Sequence, residues 1–507
     1  MFCKVISGGV HGIDSFQACV EVDVSQSMPG FEMVGLLNSE VKEAKERVRV
    51  ALKNAKFRIP PLRITVNISP ADVRKEGSAF DLAIAVGILA ATEQLSENVL
   101  EDTLFIGELG LNGEIKPVKG ILPIMMMAKE RGIGRCILPK ENALEGAVIQ
   151  GVEVIGVTDL SELFTYLSQE NTILSPTIFD PTILFQEEWQ RKVPDFEDIR
   201  GHEMVKRAAV IGAAGFHHLL ITGMPGAGKT MIAKRIPSIL PPLSMEESLE
   251  VSKIYSVSGL LKKGQPLVTS RPFLHPHHTI SRQALAGGGR IPRPGVLSLS
   301  HRGVLFLDEF PEFGRDNIEV LRQPLEDKEV QIARSYGSVT YPADIMLVAA
   351  MNPCPCGYYP DKNRCRCTQN EIKRYRSRIS GPIYDRIDLC VEARPIQLNE
   401  LQEKNLGESS RDLRQQVMKA RKMQERRYKG TGFLFNSDLA AKDIAMFCPL
   451  GEKEEEYMEK IYHSLQLSAR AYHRIIKVAR TIADLEECEK IEQRHLSEAV
   501  CFKGWEI

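Results

Sequence analysis

Hydrophobic and polar positions alternate with different periods in three successive parts of the chain. In residues 1–168, short apolar segments typical of strands alternate with longer segments of helical period. The predicted strands are Ala18–Val24, Arg63–Ile68, Leu104–Ile106 and Cys136–Leu138, and the clearest predicted helices are Glu40–Asn54 and Phe80–Ala91. This pattern predicts an α/β domain in the N-terminal third of the chain.

A linker and two further parts follow this domain. Residues 169–192 contain scattered prolines and polar residues, which predicts a linker that crosses the surface. Residues 193–395 alternate strands with helices in the manner of a parallel α/β sheet. In residues 396–507 the strand pattern gives way to helical periodicity, which predicts a helical domain with helices at Leu413–Tyr428, Lys453–Leu465 and Ala469–Leu485.

Composition describes an ordinary globular protein and restricts the possible partners. Hydrophobic residues make up 43% and charged residues 26% of the chain, and no apolar run is long enough to span a bilayer. The net charge is −1, so any contact with nucleic acid must come from local patches. The N-terminus lacks a basic-then-apolar signal region, and we expect a cytoplasmic protein whose scattered cysteines are reduced.

The most informative motif is a phosphate-binding loop of the pattern G-x-x-x-x-G-K-[ST]. The loop follows the predicted strand Leu219–Thr222 and precedes a segment that can start a helix, Met231–Ile239. Its residues are Gly223, Met224, Pro225, Gly226, Ala227, Gly228, Lys229 and Thr230. Such a loop points backbone N–H groups at an anion, and the helix dipole adds to the attraction. We expect Lys229 to reach the β- and γ-phosphates of ATP and Thr230 to bind Mg²⁺. A chance glycine-rich turn is the alternative.

Polar residues follow two later strands of the same domain. The predicted strand Val304–Leu307 ends in Asp308, expected to hold Mg²⁺, and in Glu309, expected to polarise the attacking water. The alternative for this pair is a solvated acidic strand end. Asn352 follows the predicted strand Asp344–Ala350, where it can contact the γ-phosphate or simply form a turn.

An arginine downstream of these strands has two interpretations. Arg386 lies between Asp385 and Asp388, which favours a local ion pair. The other interpretation is an arginine finger that reaches the nucleotide of a neighbouring subunit.

Four of the eleven cysteines are clustered in two C-x-C pairs, Cys354, Cys356, Cys365 and Cys367. Four thiolates bind zinc tetrahedrally, although the usual spacing within a pair is wider. Disulfides are disfavoured in a reducing compartment, and free thiols are the remaining alternative. We expect a structural zinc ion that fixes the loop after Asn352.

Two features are candidate DNA contacts. The cysteine loop and the segment after it are rich in basic residues with interleaved tyrosines, which can bind phosphates and stack on bases, although a solvated charged face is the alternative. These residues are Lys362, Arg364, Arg366, Lys373, Arg374, Arg376 and Arg378, with Tyr358, Tyr359 and Tyr375. The second feature is a predicted β-hairpin, Val330–Arg334 and Ser338–Tyr341, around a turn that contains Gly337.

Together, the phosphate loop and the later LFLDE, AAMN and DRIDL segments resemble AAA+ ATPases of the magnesium-chelatase-like branch. The segments His275–Ser281, Gly287–Gly289 and Asn352–Gly357 extend the resemblance to the ComM/YifB group, over essentially the whole chain. The resemblance implies a parallel-sheet AAA+ core, a helical C-terminal lid, and an ATP-driven hexameric ring. It also implies branch migration of DNA, or helicase action, during natural transformation.

The resemblance also implies roles for individual positions. Lys229 and Thr230 correspond to the phosphate-loop pair, and Asp308 and Glu309 to the carboxylates for metal and water. Asn352 corresponds to sensor 1, Arg386 to the finger acting in trans, and Arg470 to sensor 2. The last two assignments have competitors nearby in sequence, namely Arg378, Arg474 and Arg480. Arg334 and the His275–Ser281 segment are candidate pore-facing DNA contacts; His277 and His278 lack an acidic or cysteine partner at ligand spacing.

In the N-terminal part, the segments Lys75–Leu82 and Gly107–Ile115 resemble the Lon-protease-type domain of the ribosomal S5 domain 2-like fold. Lon-type proteolysis needs a serine activated by a lysine. The alignment places Ala79 at the nucleophile position and Leu122 at the lysine position, with Ser78 and Lys119 nearby. We therefore expect a non-proteolytic domain, similar to that of the RadA recombination protein.

The function favoured by these features is an ATP-driven DNA motor. The first rival is a chelatase motor subunit that drives Mg²⁺ insertion into a porphyrin, which the Lon-like domain and the cysteine loop disfavour. The second is a Lon-like ATP-dependent protease. The third is a scaffold that binds ATP without hydrolysing it, and the intact Asp308-Glu309 pair argues against it.

Overall fold

The computed structural model describes residues 1–168, 174–185, 194–289, 291–334, 337–395 and 407–503. The chain forms two compact units, neither of which is continuous in sequence. The first contains Met1–Gln190, Met245–Thr269 and Ala333–Tyr341, and the second contains Arg191–Ser244, Ser270–Ile332 and Pro342–Ile507. Parts of the predicted linker, residues 169–173 and 186–192, lie outside the described residues, and the domain limits proposed from the sequence stay a prediction.

The first unit contains a mixed sheet of seven strands with helices packed against it. Its strands and helices, in chain order, are β1 Phe2–His11, β2 Asp14–Ser25, β3 Gly30–Val34, α1 Ser39–Asn54, β4 Arg63–Ser69, α2 Asp81–Ala91, β5 Thr103–Phe105, β6 Glu108–Leu109, β7 Ile115–Lys116, α3 Ile121–Glu130, β8 Arg135–Pro139, α4 Ala143–Ala147, β9 Glu153–Val157 and α5 Leu160–Leu167. The strand order is β3-β4-β2-β1-β5-β8-β9. The predicted strands and helices are confirmed here within one residue at each end, except that β2 starts at Asp14, four residues before the predicted Ala18.

Helix α2 forms the centre of this unit's core. All eleven of its residues are buried, and a helix that is apolar on every side is stable only inside a core. The helix Met245–Ser258 belongs to the same unit and packs against α3, where the Leu122 backbone N–H donates to the Ser256 hydroxyl at 3.4 Å.

From residue 194 onward the elements follow the predicted alternation of strands and helices and then become helical. In chain order they are α6 Glu203–Gly215, β10 Leu219–Gly223, α7 Lys229–Ala233, α8 Ile236–Ile239, α9 Met245–Ser258, β11 Phe273–Leu274, α10 Arg282–Ala286, β12 Gly287–Gly288, β13 Arg293–Pro294, α11 Val296–Leu299, β14 Val304–Leu307, α12 Arg315–Val320, α13 Arg322–Asp327, β15 Glu329–Arg334, β16 Gly337–Pro342, β17 Met346–Met351, α14 Gln369–Arg376, α15 Gly381–Tyr384, β18 Leu389–Ala393, α16 Ser410–Arg427, α17 Ala441–Phe447, α18 Glu452–Ser464, α19 Ala469–Leu485 and α20 Gln493–Cys501.

The second unit is built on a five-stranded parallel sheet with the order β11-β14-β17-β10-β18. Its central strands β14 and β17 are buried along their whole length, which is why they read as continuous apolar runs. The C-terminal helices share a hydrophobic core with this sheet. For example, the Gln424 side chain donates to the Ala214 carbonyl at 3.0 Å and joins α16 to α6.

Two local predictions are refined by the structure. The helix after the phosphate loop starts at Lys229 and breaks at Lys234 and Arg235, because Pro237 lacks the N–H group that a continuous helix would need. The predicted hairpin is confirmed as β15 and β16, whereas its turn at 335–336 and the side chain of Arg334 lie outside the described residues. Across the part of the chain that the structure describes, no helix is both long enough and apolar enough to cross a bilayer.

Candidate nucleotide site

The carboxyl ends of three adjacent parallel strands bring the phosphate loop together with the polar residues predicted to act on it. Strand β10 leads into the loop, and β17 lies between β10 and β14. The Lys229 ammonium donates to the carbonyl oxygens of Gly223 and Met224 at 2.7 and 3.0 Å, and to Asn352 Oδ1 at 3.1 Å. Asn352 therefore lies directly beside the lysine of the phosphate loop.

Two glycines of the loop, Gly226 and Gly228, have left-handed backbone conformations. Gly228 caps helix α7 with φ +74°, a left-handed conformation that a glycine adopts without strain. Lys229 follows it and is largely buried. Burial lowers the pKa of Lys229, while the nearby carboxylates of Asp308 and Glu309 raise it. A phosphate group bound here would add negative charge and favour the ammonium form.

Thr230 and Asp308 form the pair expected to hold Mg²⁺. The Thr230 hydroxyl donates to Asp308 Oδ2 at 2.6 Å, so the two oxygens already converge on one point. Hydroxyl and carboxylate oxygens are the ligands that Mg²⁺ prefers, and the ion usually keeps several waters as well. The residues present therefore fit a nucleotide-bound magnesium ion.

Glu309 lies beside this pair with an unusual backbone conformation. Its φ is +52°, in the left-handed region that is uncommon for a residue with a side chain. The Glu309 backbone N–H donates to Asp308 Oδ1 at 2.9 Å. Its side chain is 56% exposed, so a water molecule can reach the carboxylate.

The histidine-rich segment lies next to Glu309. His278 Nδ1 is 3.5 Å from Glu309 Oε2, and the His275 ring contacts the Phe306 ring with 4.7 Å between centroids. The sequence suggested that these histidines lack an acidic partner at ligand spacing; in space, His278 has one. No local signal could have found it, because the contact depends on the pairing of β11 with β14.

Arg386 and Arg470 converge on one carboxylate, that of Glu326. Arg386 forms an ion pair with Glu326, and its Nη1 donates to the Pro382 carbonyl at 2.6 Å. Arg470 Nη2 lies 4.0 Å from the other oxygen of Glu326. The alternative interpretation of Arg386 is an ion pair with a flanking aspartate. In the structure the ion pair is with Glu326, and Asp388 instead faces His217 Nδ1 at 3.3 Å. The sequence carried no signal for Glu326.

The competing arginines have other partners. Arg480 is buried and pairs with Asp484, Arg474 donates to the Ile387 carbonyl at 2.7 Å, and Arg378 pairs with Glu312 at 2.8 Å. In contrast, the Arg470 side chain is 60% exposed, which leaves it able to reach a ligand.

The four clustered cysteines meet in space. The sulfur atoms of Cys354, Cys356 and Cys365 are separated by 3.4 to 3.8 Å, and all four sulfur atoms, including that of Cys367, lie within 4.8 Å of one another. Tetrahedral zinc with Zn–S bonds of about 2.3 Å requires sulfur separations of about 3.8 Å. Sulfur atoms joined in a disulfide are about 2.05 Å apart. The cluster therefore fits zinc, and the close C-x-C spacing does not prevent a tetrahedral arrangement.

Basic residues near this cluster lie against the tyrosine rings that accompany them in sequence. The Arg364 guanidinium lies 4.2 Å from the centre of the Tyr358 ring, and that of Arg376 lies 5.7 Å from the Tyr359 ring. Most of the basic side chains are exposed. Tyr375 is buried, so the prediction that it stacks on a base is wrong: its ring packs inside the unit.

The Lon-type positions of the first unit do not form a serine–lysine dyad. Ala79 and Leu122 pack in the same hydrophobic cluster. The Ser78 hydroxyl donates to the carboxylate of Glu108, and the aliphatic part of Lys119 lies against Gly259. Ser78 is therefore hydrogen-bonded to a carboxylate and not to the lysine amine that Lon-type proteolysis uses.

The strand order, the phosphate loop after β10, the carboxylates after β14 and the asparagine after β17 define a P-loop ATPase of the AAA+ class. Three family models match the chain: "Subunit ChlI of Mg-chelatase" over residues 20–142, "Magnesium chelatase, subunit ChlI" over 195–401, and "Magnesium chelatase, subunit ChlI C-terminal" over 407–503. The chain is 41% identical to the competence protein ComM of Haemophilus influenzae over 505 residues, 99% of this chain and 97% of that protein. It is also 41% identical to YifB of Escherichia coli over 495 residues, 97% and 95% of the two chains.

The chain belongs to the ComM/YifB family of magnesium-chelatase-like AAA+ proteins. The family confirms the sequence-based resemblance and indicates ATPase activity with ATP and Mg²⁺. Two shorter matches concern other proteins. The DNA repair protein RadA of Streptococcus pyogenes is 38% identical over 96 residues, 19% of this chain and 20% of RadA, and Lon protease 2 of Bacillus subtilis is 30% identical over 129 residues, 25% and 22% of the two chains.

Proposed function

We propose that this chain is an ATP-driven DNA motor of the ComM type. In this proposal it acts in the cytoplasm as a ring, a hexamer, and promotes branch migration of DNA during recombination. The observation that carries the proposal is the joined set of Lys229, Thr230, Asp308, Glu309 and Asn352 at one sheet edge. It occurs in a chain that matches competence protein ComM over 99% of its length.

The proposed mechanism begins with the phosphates of ATP in the loop Gly223–Thr230. Lys229 would exchange its contacts with backbone carbonyls for the phosphate oxygens, and Thr230 with Asp308 would hold the Mg²⁺ that accompanies the nucleotide. Glu309 accepts a proton from the attacking water, and Asn352 orients that water against the γ-phosphate.

The same proposal assigns Arg386 to the nucleotide of a neighbouring subunit and Arg470 to sensor 2. Both must release Glu326 to do so, because that carboxylate holds them in the single chain. Ring assembly supplies the neighbour, and family membership supports oligomers.

DNA contact is assigned to the exposed basic side chains near the cysteine cluster and to the hairpin of β15 and β16. The match to RadA supports a role with DNA.

We assign residues 1–168 to a Lon-like, ribosomal S5 domain 2-like domain that lacks protease activity, residues 169–192 to a linker, 193–395 to the AAA+ core and 396–507 to the lid. The Ser78–Glu108 contact supports the loss of proteolysis. A structural zinc ion is assigned to the four cysteines.

The test combines ATP hydrolysis with movement of a DNA junction. The purified protein should hydrolyse ATP faster when branched or single-stranded DNA is added, and it should resolve a synthetic three- or four-way junction with ATP but not with a non-hydrolysable analogue. Glu309→Gln should lower kcat by about 10²- to 10⁴-fold and keep nucleotide binding, because only the proton acceptor is lost. ATP hydrolysis that ignores every DNA structure tested would contradict the motor.

A magnesium-chelatase motor subunit is the second candidate, favoured by the three family models. It predicts ATPase stimulation by porphyrin together with partner chelatase subunits. Stimulation by DNA and none by those partners would select the motor.

A further inference from the structure

The cysteine cluster lies against the nucleotide site. Cys354 comes two residues after Asn352, whose side chain accepts from Lys229 at 3.1 Å. Cys354 is fully buried, so the cluster begins inside the sheet edge. The chain then makes a tight turn in which the Gly357 backbone N–H donates to the Cys354 carbonyl at 3.0 Å.

Gly357 packs directly on the phosphate loop. A methyl group added at Gly357 would lie 2.7 Å from Cγ and Cδ of Pro225 and 3.8 Å from Cγ of Asn352. Separations of 2.7 Å are far inside van der Waals contact, and the backbone of Gly357 has φ +86°. Only a glycine lets the loop between Cys356 and Cys365 approach Pro225 this closely.

Helix α14 closes the other end of the same loop. Thr368, directly after the last cysteine, caps the helix through a reciprocal pair of hydrogen bonds with Glu371. At its far end, Arg376 Nε donates to the Pro353 carbonyl at 3.3 Å. The loop is thus held at both ends, but between Cys356 and Cys365 it has no helix or strand of its own.

We propose that the metal-bound cysteine loop holds the phosphate loop in its nucleotide-binding shape, with Gly357 and Pro225 as the positioning residues. The inference rests on the proposed binding of ATP and zinc. Four thiolates on one ion remove the conformational freedom that a loop of this kind would otherwise keep, and a rigid loop can support its neighbour. Metal occupancy then sets nucleotide affinity although no cysteine touches the nucleotide.

The first arm of the test changes the contact and leaves the cysteines in place. Gly357→Ala should raise both the dissociation constant for a fluorescent ATP analogue and the KM for ATP by at least about fivefold. The kcat at saturating ATP should change less, and the zinc content should stay the same. The matched control is Gly430→Ala, which has φ +80° and open space around it, and should bind nucleotide like the wild type.

Pro225→Ala removes the two ring carbons that the methyl group would meet. Adding Gly357→Ala to that variant should therefore weaken nucleotide binding no more than Gly430→Ala does, since only the backbone strain at positive φ remains, and a double-mutant cycle measures the difference.

The second arm removes the metal. Cys367→Ser, chosen because Cys367 is less buried than Cys354, should lose zinc and weaken nucleotide binding by a similar factor while keeping its thermal unfolding cooperative. Full nucleotide affinity in this variant after zinc loss, or additive losses in the Gly357–Pro225 cycle, would overturn the inference. Wild-type protein that holds zinc and binds no nucleotide would instead overturn the proposed ATPase site.

Discussion

At the scale of single residues, the contact between Thr230 and Asp308 has a measurable consequence for Mg²⁺. The hydroxyl donates to the carboxylate at 2.6 Å, and an ion bound between nucleotide and protein would take up both oxygens. Asp308→Asn keeps the shape of the side chain and removes its charge. We expect Mg²⁺ affinity of the ATP complex to fall about 10- to 100-fold, whereas binding of ATP without Mg²⁺ should change little.

The measurement is a Mg²⁺ titration of nucleotide binding. Asp316→Asn is the matched control, since Asp316 is an exposed carboxylate in helix α12. Equal Mg²⁺ dependence in Asp308→Asn and the wild type would show that the metal is held elsewhere.

At the scale of secondary structure, a polar network links the starts of three strands to the C-terminal helix α19. His217 Nε2 lies 2.8 Å from the Thr481 hydroxyl, and its Nδ1 lies 3.3 Å from Asp388. His218 Nδ1 accepts from the Leu347 backbone N–H at 3.2 Å, so this nitrogen must be unprotonated in the folded chain. Burial lowers the pKa of His218 from 6.5 to about 4.

This network predicts a pH window in which stability is lost. Below pH 6.5 an unfolded His218 takes up a proton, while the folded one stays neutral until about pH 4. Stability should therefore fall as pH drops from 6.5 to 4, by about 3 kcal/mol at most from this residue.

The carboxylate of Asp388 affects stability in a lower pH range. Burial opposes its ionisation, but the hydrogen bond with His217 lowers its pKa below 3.8 overall, so its contribution is lost only in more acidic solution.

Denaturant unfolding of His218→Asn at several pH values checks this window. The asparagine oxygen can accept from Leu347 but does not titrate, so the variant should lose much of the slope between pH 6.5 and 4. His463→Asn, at an exposed position, is the control and should keep the wild-type slope. An unchanged slope in His218→Asn would assign the acid sensitivity to other groups.

Secondary structure was predictable where periodicity alone determines it. Helix α19 has the bounds expected from its pattern, Ala469–Leu485, and β14 and β17 are apolar because both faces are buried. The phosphate loop and its carboxylates were also predictable, since parallel strands deliver their ends to one edge. Contacts such as that of Arg386 with Glu326, 60 positions away, depend on how helices pack and leave no periodic signal.

At the scale of the whole molecule, the position of Arg386 bears on whether the site is complete in one chain. In the described residues of a single chain, Arg386 contacts Glu326 and Pro382, and Lys229 contacts Gly223, Met224 and Asn352. A head-to-tail ring presents the same surface of each subunit to the nucleotide of the next. In the proposed ring, Arg386 of one subunit would then complete the nucleotide site of the next.

Mixing two inactive variants tests this assembly directly. Arg386→Ala subunits keep the phosphate loop but offer no finger, and Lys229→Ala subunits keep the finger but bind nucleotide poorly, so each preparation alone should be nearly inactive. In mixed rings, an intact Lys229 meets an intact Arg386 at about a quarter of the interfaces, and up to about that fraction of wild-type ATP hydrolysis should return. Mixing Lys229→Ala with Lys229→Ala,Arg386→Ala subunits is the control and should restore nothing. A finger that acts within its own chain gains nothing from a neighbour. If the first mixture recovers no activity in rings shown to exchange subunits, Arg386 therefore acts in its own subunit's site or outside catalysis.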